Sequence, residues 1–249
     1  MKVKISEKPA KTILTRSGID EVDYCLNPYT GCFHGCIYCY ATFMKRFSGH
    51  MEPWGTFVDV KINAHEILEK QLSRISTGSV MISSVTDPYQ PAESRYRITR
   101  KCLEVLADSE LEVSVLTKSP LVLRDIDLFS RFGSMKVGVT VTTDDDRIRR
   151  IFEPNAPPVS ARIRALRELR EKGIYTYAFI GPVLPMEPES LARKLGPFID
   201  AFIIDRMNYI SKSKRAYQKH GFQRWMDPGH SMSIVKRLEE ALEQYGSAG

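Results

Sequence analysis

The segment Asn27-Pro-Tyr-Thr-Gly-Cys32-Phe-His-Gly-Cys36-Ile-Tyr-Cys39-Tyr-Ala41 brings three cysteines together in one short loop. Their C-x3-C-x2-C spacing suits a cuboidal iron–sulfur cluster, whose irons are held by cysteine thiolates. Three thiolates hold three irons and leave the fourth iron free for a substrate or cofactor group. The neighbouring glycines accept backbone conformations that larger residues resist, so the chain can curl closely around a cluster. The stretch therefore predicts a 4Fe–4S site with one open corner, held by Cys32, Cys36 and Cys39.

Two other interpretations of the cysteines fit less well. A structural zinc site normally has four closed N or S ligands, so Cys25, His34 or His50 would have to supply the fourth. A disulfide framework is disfavoured because five cysteines in 249 residues are sparse and odd in number. The chain shows no N-terminal apolar segment of the kind that marks export. We therefore expect a cytoplasmic protein with reduced thiols, and zinc remains the alternative.

The cysteine loop resembles the radical S-adenosylmethionine (SAM) superfamily, whose signature has an aromatic residue just before the last cysteine, here Tyr38. The longer sequence pattern of residues 27–41 resembles the branch that contains spore photoproduct lyase and its shorter relatives. This resemblance implies that the three cysteines hold a 4Fe–4S cluster and that SAM binds its open iron. It also implies reductive cleavage of SAM to a 5′-deoxyadenosyl radical that abstracts a substrate hydrogen. The electron would come from a low-potential donor of the flavodoxin or ferredoxin type.

Composition places the chain among ordinary globular proteins. Hydrophobic residues make up 43% and charged residues 27% of the 249 residues. The longest apolar runs, residues 175–184 and 198–204, are under half the length of a membrane span, so we expect no membrane association. Lys plus Arg exceed Asp plus Glu by six. This mild basicity suits a polyanionic partner, such as nucleic acid, without requiring one.

Short apolar runs alternate with helical patterns along most of the chain. This alternation calls for βαβ units and a parallel sheet. The expected strands are residues 22–26, 79–84, 111–117, 136–142, 174–180 and 199–205. The expected helices are residues 40–50, 64–75, 99–107, 124–132, 160–172, 188–195 and 231–244. Six such units predict an α/β fold, a partial (β/α)6 TIM-like barrel of parallel strands, which the resemblance also implies. A doubly wound sheet is the alternative, because periodicity does not separate the two.

The chain is expected to form a single domain, residues 1–249. Residues 1–20 are polar and basic, and we expect a lead-in that packs loosely or covers one edge of the sheet. Residues 21–206 would form the barrel core, and residues 207–249 a basic and helical C-terminal extension that closes one side. Cys25 within a strand and Cys102 on a helix face are expected to be small core residues.

The predicted strands end in polar side chains. Ligands of parallel α/β barrels collect at the C-terminal ends of the strands, so these side chains mark a candidate pocket. The residues in question are Ser83, Ser84, Thr86, Asp87 and Tyr89 after the second strand, Thr117 and Lys118 after the third, Thr140, Thr142 and Thr143 after the fourth, and Asp205, Arg206 and Asn208 after the sixth.

Lys118 is the expected partner of the SAM carboxylate. A lysine at the end of an apolar strand lies at the rim where the anionic carboxylate of SAM is expected. The resemblance implies the same role, because the lyase branch uses a lysine after its third strand in this way. A surface lysine that merely caps the strand is the alternative. Thr140 or Thr142 would place a hydroxyl near the same carboxylate or the ribose, although threonine is common in strands for other reasons.

The resemblance assigns further SAM contacts and also shows a departure. It places Tyr38 against the adenine, where stacking would contribute about 1 kcal/mol. It assigns the turn that begins with Ser83 and Ser84 to the amino group of SAM. Spore photoproduct lyase uses a hydrogen-donating cysteine just before the aspartate-bearing turn after its second strand. The counterpart here is Ser84 or Val85, which cannot act as a thiol donor.

Three hypotheses for the function follow. The first is a radical SAM enzyme that acts on a nucleic acid, a nucleotide or a related anionic substrate, with phosphates contacted by residues 212–224 and by outward-facing arginines of one helix. These arginines are Arg162, Arg164, Arg167 and Arg170, and a solvated helix face is the alternative. The second keeps the radical chemistry but takes a peptide or small natural product. The third is a non-catalytic zinc or iron–sulfur module.

Overall fold

The computed structural model describes residues 3–246. Residues 1, 2 and 247–249 of the predicted lead-in and extension lie outside this part. The described strands are β1 (Lys4–Lys8), β2 (Leu14–Arg16), β3 (Tyr24–Leu26), β4 (Tyr29–Thr30), β5 (Phe57–Lys61), β6 (Ser79–Ile82), β7 (Glu112–Thr117), β8 (Met135–Thr140), β9 (Tyr175–Ile180) and β10 (Ala201–Ile204).

Helices connect the strands of the main sheet and follow the last one. They are α1 (Lys45–Ser48), α2 (Ala64–Leu72), α3 (Pro91–Tyr96), α4 (Ile98–Leu106), α5 (Ile126–Phe129), α6 (Asp146–Phe152), α7 (Val159–Glu171), α8 (Pro188–Leu195), α9 (Ile210–Lys219) and α10 (Pro228–Glu243). Turns of 3₁₀-helix span Tyr40–Met44, Pro120–Asp125, Gly196–Phe198 and Gln223–Met226. Within residues 3–246 no helix combines the length and the apolarity that crossing a membrane requires.

The main sheet has seven strands in the order β10-β9-β8-β7-β6-β3-β2. From β3 to β10 every neighbouring pair is parallel, and each new strand is added beside the preceding one. A doubly wound sheet would reverse its strand order at a switch point, and no reversal occurs between β3 and β10. The predicted α/β fold, a partial (β/α)6 barrel, is confirmed. Its six parallel strands are the six that the sequence predicts.

The alternation of side chains along β7 shows why the strands form and what they enclose. Val115 is buried in the apolar core, whereas Ser114, Leu116 and the following Lys118 line the central cavity of the barrel. Successive side chains of a strand point to opposite faces, so one strand serves both the helix-covered core and the cavity. The polar residues at the strand end therefore face the cavity rather than bulk solvent.

The N-terminal residues form two strands that the sequence did not predict. Strand β2 pairs antiparallel with β3 and covers one edge of the main sheet. Strand β1 joins β5 and β4 in a separate three-stranded sheet behind the cysteine loop. Gly31 has φ of 85°, and a Cβ on it would overlap the carbonyl oxygen and ring of Phe57 in β5. Glycine is thus required where the loop lies against this sheet.

Helices α3, α6 and α9 were absent from the prediction. Helix α6 follows the Asp-rich end of β8, and the side chain of Asp145 accepts a hydrogen bond from Arg147 N at 2.7 Å. An aspartate N-cap of this kind is a local sequence signal for the start of a helix. In the C-terminal extension, α10 packs against α8, with Arg237 paired to Glu189 at 2.7 Å. The extension thus covers the β10 side of the barrel.

Candidate active site

A cavity of about 680 Å³ occupies the interior of the barrel. Near the C-terminal ends of the strands its wall contains all three cysteines of the cluster loop, which we define as residues 31–41. The predicted contacts Tyr38, Ser83, Ser84, Lys118 and Thr140 lie on the same wall, whereas Thr142 is not part of it. Parallel strands that end at one rim bring these separate stretches of sequence together.

The turn after β6 holds the cluster loop from one side. Thr86 donates a hydrogen bond to the carbonyl oxygen of Gly31 at 2.6 Å, and Gln90 donates to the same oxygen at 3.3 Å. The carbonyl oxygen of the Gln90 side chain accepts a hydrogen bond from Phe33 N at 2.9 Å. Gln90 is fully buried, so its amide gives the loop a fixed anchor.

The end of α6 holds the cluster loop from the other side. The carbonyl oxygen of Phe152 accepts a hydrogen bond from Ile37 N at 2.9 Å. Asn155 donates from its side chain to Phe33 O at 3.0 Å and from its backbone to His34 O at 3.2 Å. The cysteines are therefore positioned by hydrogen bonds that join the backbone of the cluster loop to two distant segments of the chain.

Glu153 is the centre of a buried polar network that sequence analysis missed. Its carboxylate accepts hydrogen bonds from the hydroxyl of Tyr38 and, at 3.0 Å, from that of Thr142. It forms an ion pair with Arg162, and the ammonium of Lys118 lies 3.8 Å from its Oε1 atom. The network thus connects the aromatic residue of the cluster loop to the polar ends of β7 and β8. Thr142, expected at SAM, instead has its hydroxyl committed to Glu153.

The prediction that all four arginines of α7 face outward is wrong for Arg162, which has no solvent exposure. Its Nη1 atom donates to the carbonyl oxygen of Thr140 at 3.1 Å. Burial by itself would raise the pKa of Glu153, but the nearby Arg162 and Lys118 lower it to about 2. The helical period places Arg162 on the solvent face. Periodicity within one helix does not reveal a buried carboxylate, here Glu153, that comes from another segment. The exposed arginines are each paired with an acidic residue, Arg164 with Glu168, Arg167 with Glu171 and Arg170 with Asp200.

The three thiols have the chemistry that an iron–sulfur cluster requires. Burial raises the pKa of Cys36 to about 12, partly opposed by the charge of Lys118. Burial also raises the pKa values of Cys32 and Cys39, and the proximity of the three sulfurs adds to the shift of Cys32. In the absence of metal these thiols therefore keep their protons at neutral pH, and iron binding would displace them. Three soft sulfur donors on one cavity wall fit a 4Fe–4S cluster.

The two histidines available for a fourth zinc ligand both lie against carboxylates, although Nδ1 of His34 has no partner among the described residues. His34 Nε2 lies 3.0 Å from Asp87, and both side chains are buried. His50 contacts Glu52 at 3.0 Å and Asp59 at 2.9 Å through its two ring nitrogens. Neither Cys25 nor His50 lines the cavity wall that carries the three cysteines. Of the three candidates for a fourth zinc ligand, only His34 lies on that wall, and its Nε2 atom faces Asp87.

Ser83 lines the cavity and carries a buried hydroxyl without a partner within residues 3–246. It has φ of 72° and is 4% exposed, and its Oγ atom has no hydrogen-bond partner among the residues that the structure describes. Buried hydroxyls are normally paired, so this one is suited to a ligand. Ser84 also lines the cavity, with its Oγ atom accepting a hydrogen bond from Asn27 at 3.3 Å. The buried side chain of Thr140 lines the wall beside them.

Lys118 extends into the cavity rather than capping its strand at the surface. Its side chain is 15% exposed, and its ammonium lies 6.0 Å from the centre of the Tyr38 ring. Its backbone N donates to Asp87 at 2.8 Å, and Thr117 donates to the same carboxylate at 2.6 Å. Burial alone would raise the pKa of Asp87, but His34 and these hydrogen bonds lower it to about 2. The ionised Asp87 thus fixes the strand end that carries Lys118.

Three aromatic side chains of β9 line the cavity, and sequence analysis missed all of them. A Cβ on Gly138 of β8 would overlap the ring of Tyr177, and a Cβ on Gly181 would overlap the ring of Phe179. Tyr177 and Phe179 therefore each fill space that only a glycine leaves free. The signal was present in the alternation of Tyr175, Tyr177 and Phe179 along a predicted strand, which brings all three to one face.

The C-terminal extension reaches the cluster loop through Lys212. Its ammonium donates to the carbonyl oxygen of Cys39 and to the hydroxyl of Thr42, each at 2.6 Å. The structure thus gives Lys212 a contact with the cluster loop, and the phosphate contact of residues 212–224 stays a prediction. The other cations expected there, Lys214, Arg215, Lys219 and Arg224, are exposed.

Known proteins share this sequence pattern and this fold. The profile of the Radical SAM superfamily matches residues 26–195. An uncharacterised protein of Methanocaldococcus jannaschii is 35% identical over 221 residues, which are 88% of this chain and 83% of that protein. The Radical SAM Nalpha-GlyT isomerase of Pseudomonas phage M6 is 31% identical over 161 residues, or 64% of this chain and 32% of the isomerase.

A solved structure of a spore photoproduct lyase mutant, with bound AdoMet and dinucleoside spore photoproduct, has the same fold. It aligns with a TM-score of 0.72 and covers 98% of this chain and 81% of the lyase. The sequence identity is 14%, so the likeness is one of fold. The described strands and helices therefore adopt the fold of a known enzyme.

Proposed function

This chain belongs to the Radical SAM superfamily, and we propose that it abstracts a hydrogen atom from a nucleic acid or nucleotide. The cofactors of that superfamily are a 4Fe–4S cluster and SAM. The observation that carries the proposal is the single cavity wall on which three cysteines, Lys118 and the unpaired hydroxyl of Ser83 meet. The cysteines would hold the cluster, and the other two side chains would hold the polar end of SAM.

With both cofactors bound, an electron from the reduced cluster would cleave the bond between the sulfonium of SAM and its C5′ atom. This cleavage would release methionine and a 5′-deoxyadenosyl radical that takes a hydrogen from the substrate. The residues of the chain have supporting tasks. Lys118 would pair with the carboxylate of SAM, because its ammonium is held inside the cavity beside Tyr38. Tyr38, whose hydroxyl is bound by Glu153, would present its ring to the adenine. The surrounding barrel would keep water from the radical.

Charge and cavity shape support the anionic, base-containing substrate. The chain carries a formal charge of +6, which favours association with a polyanion. The flat rings of Tyr177 and Phe179 line the cavity and are suited to contact a planar base. The lyase named above was solved with a dinucleoside photoproduct, and this chain shares its fold. We do not assign the lyase reaction itself to this chain, because that reaction uses a hydrogen-donating cysteine. Among the described residues, the only thiols that line the cavity are the three cysteines of the cluster loop.

Cofactor cleavage is tested by anaerobic reconstitution with iron and sulfide. The wild-type protein, reduced with dithionite or with a flavodoxin- or ferredoxin-type donor, is expected to convert SAM to 5′-deoxyadenosine, measured by chromatography. Cys36→Ala should abolish both the iron–sulfur absorbance and the product. Cys102→Ala is the matched control, because this cysteine is buried in α4 away from the cavity. Retained cleavage in Cys36→Ala would overturn the ligand assignment.

The substrate class is tested by isotope transfer. Deuterated DNA or RNA oligonucleotides are incubated with the reconstituted enzyme, and 5′-deoxyadenosine is examined by mass spectrometry. Transfer of deuterium identifies nucleic acid as the source of the abstracted hydrogen. Cleavage of SAM without transfer from nucleic acid, but with transfer from a deuterated peptide mixture, would replace this substrate with the peptide alternative. Absence of any cleavage would favour a non-catalytic iron–sulfur module.

A further inference from the structure

Four aromatic side chains form a continuous exposed row that starts at the cavity mouth and continues outward from it. They are Tyr40, Phe43, Phe47 and Tyr209, exposed by 41%, 40%, 78% and 49%. Within this aromatic row, the ring centres are 6.4 Å apart for Tyr209 and Tyr40, 6.3 Å for Tyr40 and Phe43, and 6.2 Å for Phe43 and Phe47. Scattered exposed apolar residues need no explanation, but a contiguous set of rings indicates a binding surface.

Phe43 and Phe47 of this row belong to the segment 40–50, which the sequence predicts to be helical. The spacing of Phe43, Met44 and Phe47 predicts a short amphipathic helix with an apolar face. The structure places a 3₁₀ turn and α1 there, but leaves Phe43 and Phe47 exposed. No helix or strand among residues 3–246 therefore covers Phe43 and Phe47, the exposed part of this apolar face.

The aromatic row is continuous with the cavity. Tyr40 directly follows Cys39, and both Tyr40 and Tyr209 line the cavity wall. The hydroxyl of Tyr40 donates to the carbonyl oxygen of Ser84, which fixes that ring at the mouth. Phe43 and Phe47 lie progressively farther out along the same segment. A ligand that follows the row would therefore arrive at the cluster loop.

Cations accompany the rings. The ammonium of Lys212 lies 5.5 Å from the centre of the Tyr209 ring. The segment of residues 40–48 contains Lys45 and Arg46 and no acidic residue, and Arg206 lines the mouth beside Tyr209. Lysine is depleted in protein–protein interfaces, whereas Lys45 and Lys212 accompany these rings. Rings interspersed with cations instead match a ligand that alternates planar faces with negative charges.

We propose that the aromatic row binds an unpaired stretch of nucleic acid and leads its target nucleotide into the cavity. The inference rests on the nucleic-acid substrate proposed above and specifies its form. Bases of a single strand expose faces that stack on aromatic side chains, while phosphates contact lysine and arginine. Bases inside a duplex are already stacked on one another and cannot use the row. The enzyme should therefore prefer a single strand to a duplex of the same sequence.

The test measures binding of fluorescein-labelled 12-nucleotide single strands and matched duplexes to the reconstituted enzyme by anaerobic fluorescence anisotropy. The wild-type enzyme should bind the single strand more tightly. Phe47→Ala should raise its dissociation constant roughly 5- to 100-fold, because one stacked base is lost. Phe47→Leu should show a similar loss and Phe47→Trp should not, since stacking needs a ring. Phe47 is 78% exposed, so these changes leave the fold intact.

Tyr245→Ala is the matched control, because this tyrosine is 42% exposed but its ring lies against Gly196, before the start of β10. It should change the dissociation constant less than twofold. Single-strand binding that is unaffected by Phe47→Ala, or equal affinity for the duplex, would overturn the aromatic row and leave the nucleic-acid substrate standing. Failure of the wild type to bind any oligonucleotide would remove the substrate proposal as well. A wild-type dimer that Phe47→Ala converts to a monomer in light scattering would identify the row as a subunit interface instead.

Discussion

Glu153 and Arg162 form an ion pair in which neither side chain has any exposure to solvent. Removing one partner of such a pair leaves an uncompensated buried charge, which costs about 3–5 kcal/mol. We therefore expect Arg162→Met to lower the free energy of unfolding of the metal-free protein by that amount in urea denaturation. Arg164→Met on the same helix is the control, because Arg164 is 57% exposed and pairs with Glu168 at 3.5 Å. Its cost should be at most about 1 kcal/mol, and equal costs for the two variants would contradict the buried pair.

The lowered pKa of Glu153 predicts the pH dependence of stability. Its pKa falls from an ordinary 4.5 to about 2, because Arg162 and Lys118 outweigh the effect of burial. The unfolded chain therefore binds this proton more readily than the folded one, so the contribution is complete above pH 4.5 and lost as pH falls toward 2. Asp87 titrates in the same window. Denaturation at several pH values should show a steeper loss for wild type than for Glu153→Gln, and identical slopes would argue against the assignment.

Gly138 and Tyr177 are expected to be energetically coupled. A Cβ at position 138 would overlap the Tyr177 ring, so Gly138→Ala should destabilise the protein by about 1–3 kcal/mol. In a Tyr177→Ala background the obstructing ring is gone, and the same change should cost little. A double-mutant cycle of unfolding free energies measures this coupling. Strict additivity would show that the backbone relaxes elsewhere.

Lys118→Met should weaken SAM binding without removing the cluster. A hydrogen bond to a charged group contributes about 1.5–3 kcal/mol, so the dissociation constant should rise roughly ten- to hundredfold. Equilibrium dialysis of SAM against the reconstituted, unreduced protein measures it. Lys136→Met is the control, because this lysine lines the opposite end of the same cavity, beside Tyr175. An equal loss in both variants would indicate a general effect of charge rather than a contact of Lys118.

Tyr38 is a residue whose importance, but not its environment, was visible in the sequence. Its position before Cys39 marked it as part of the signature. Its hydroxyl is bound by Glu153, which lies 115 positions away along the chain. Nothing in the local pattern around Glu153 sets it apart from neighbouring polar residues. The same limit explains Arg162, whose helical position was predicted correctly in α7 but whose burial was not.

The sequence by itself determined the cluster loop and the order of strands and helices. Both are local properties, because cysteine spacing is read within one loop and apolar periodicity within one element. Only the tertiary structure decided which polar groups meet: Glu153 with Tyr38 and Arg162, Lys212 with the cluster loop, and the aromatic row at the cavity mouth. Contacts between distant positions depend on how the strands close around the cavity. That closure follows from packing of the whole chain, which no short stretch encodes.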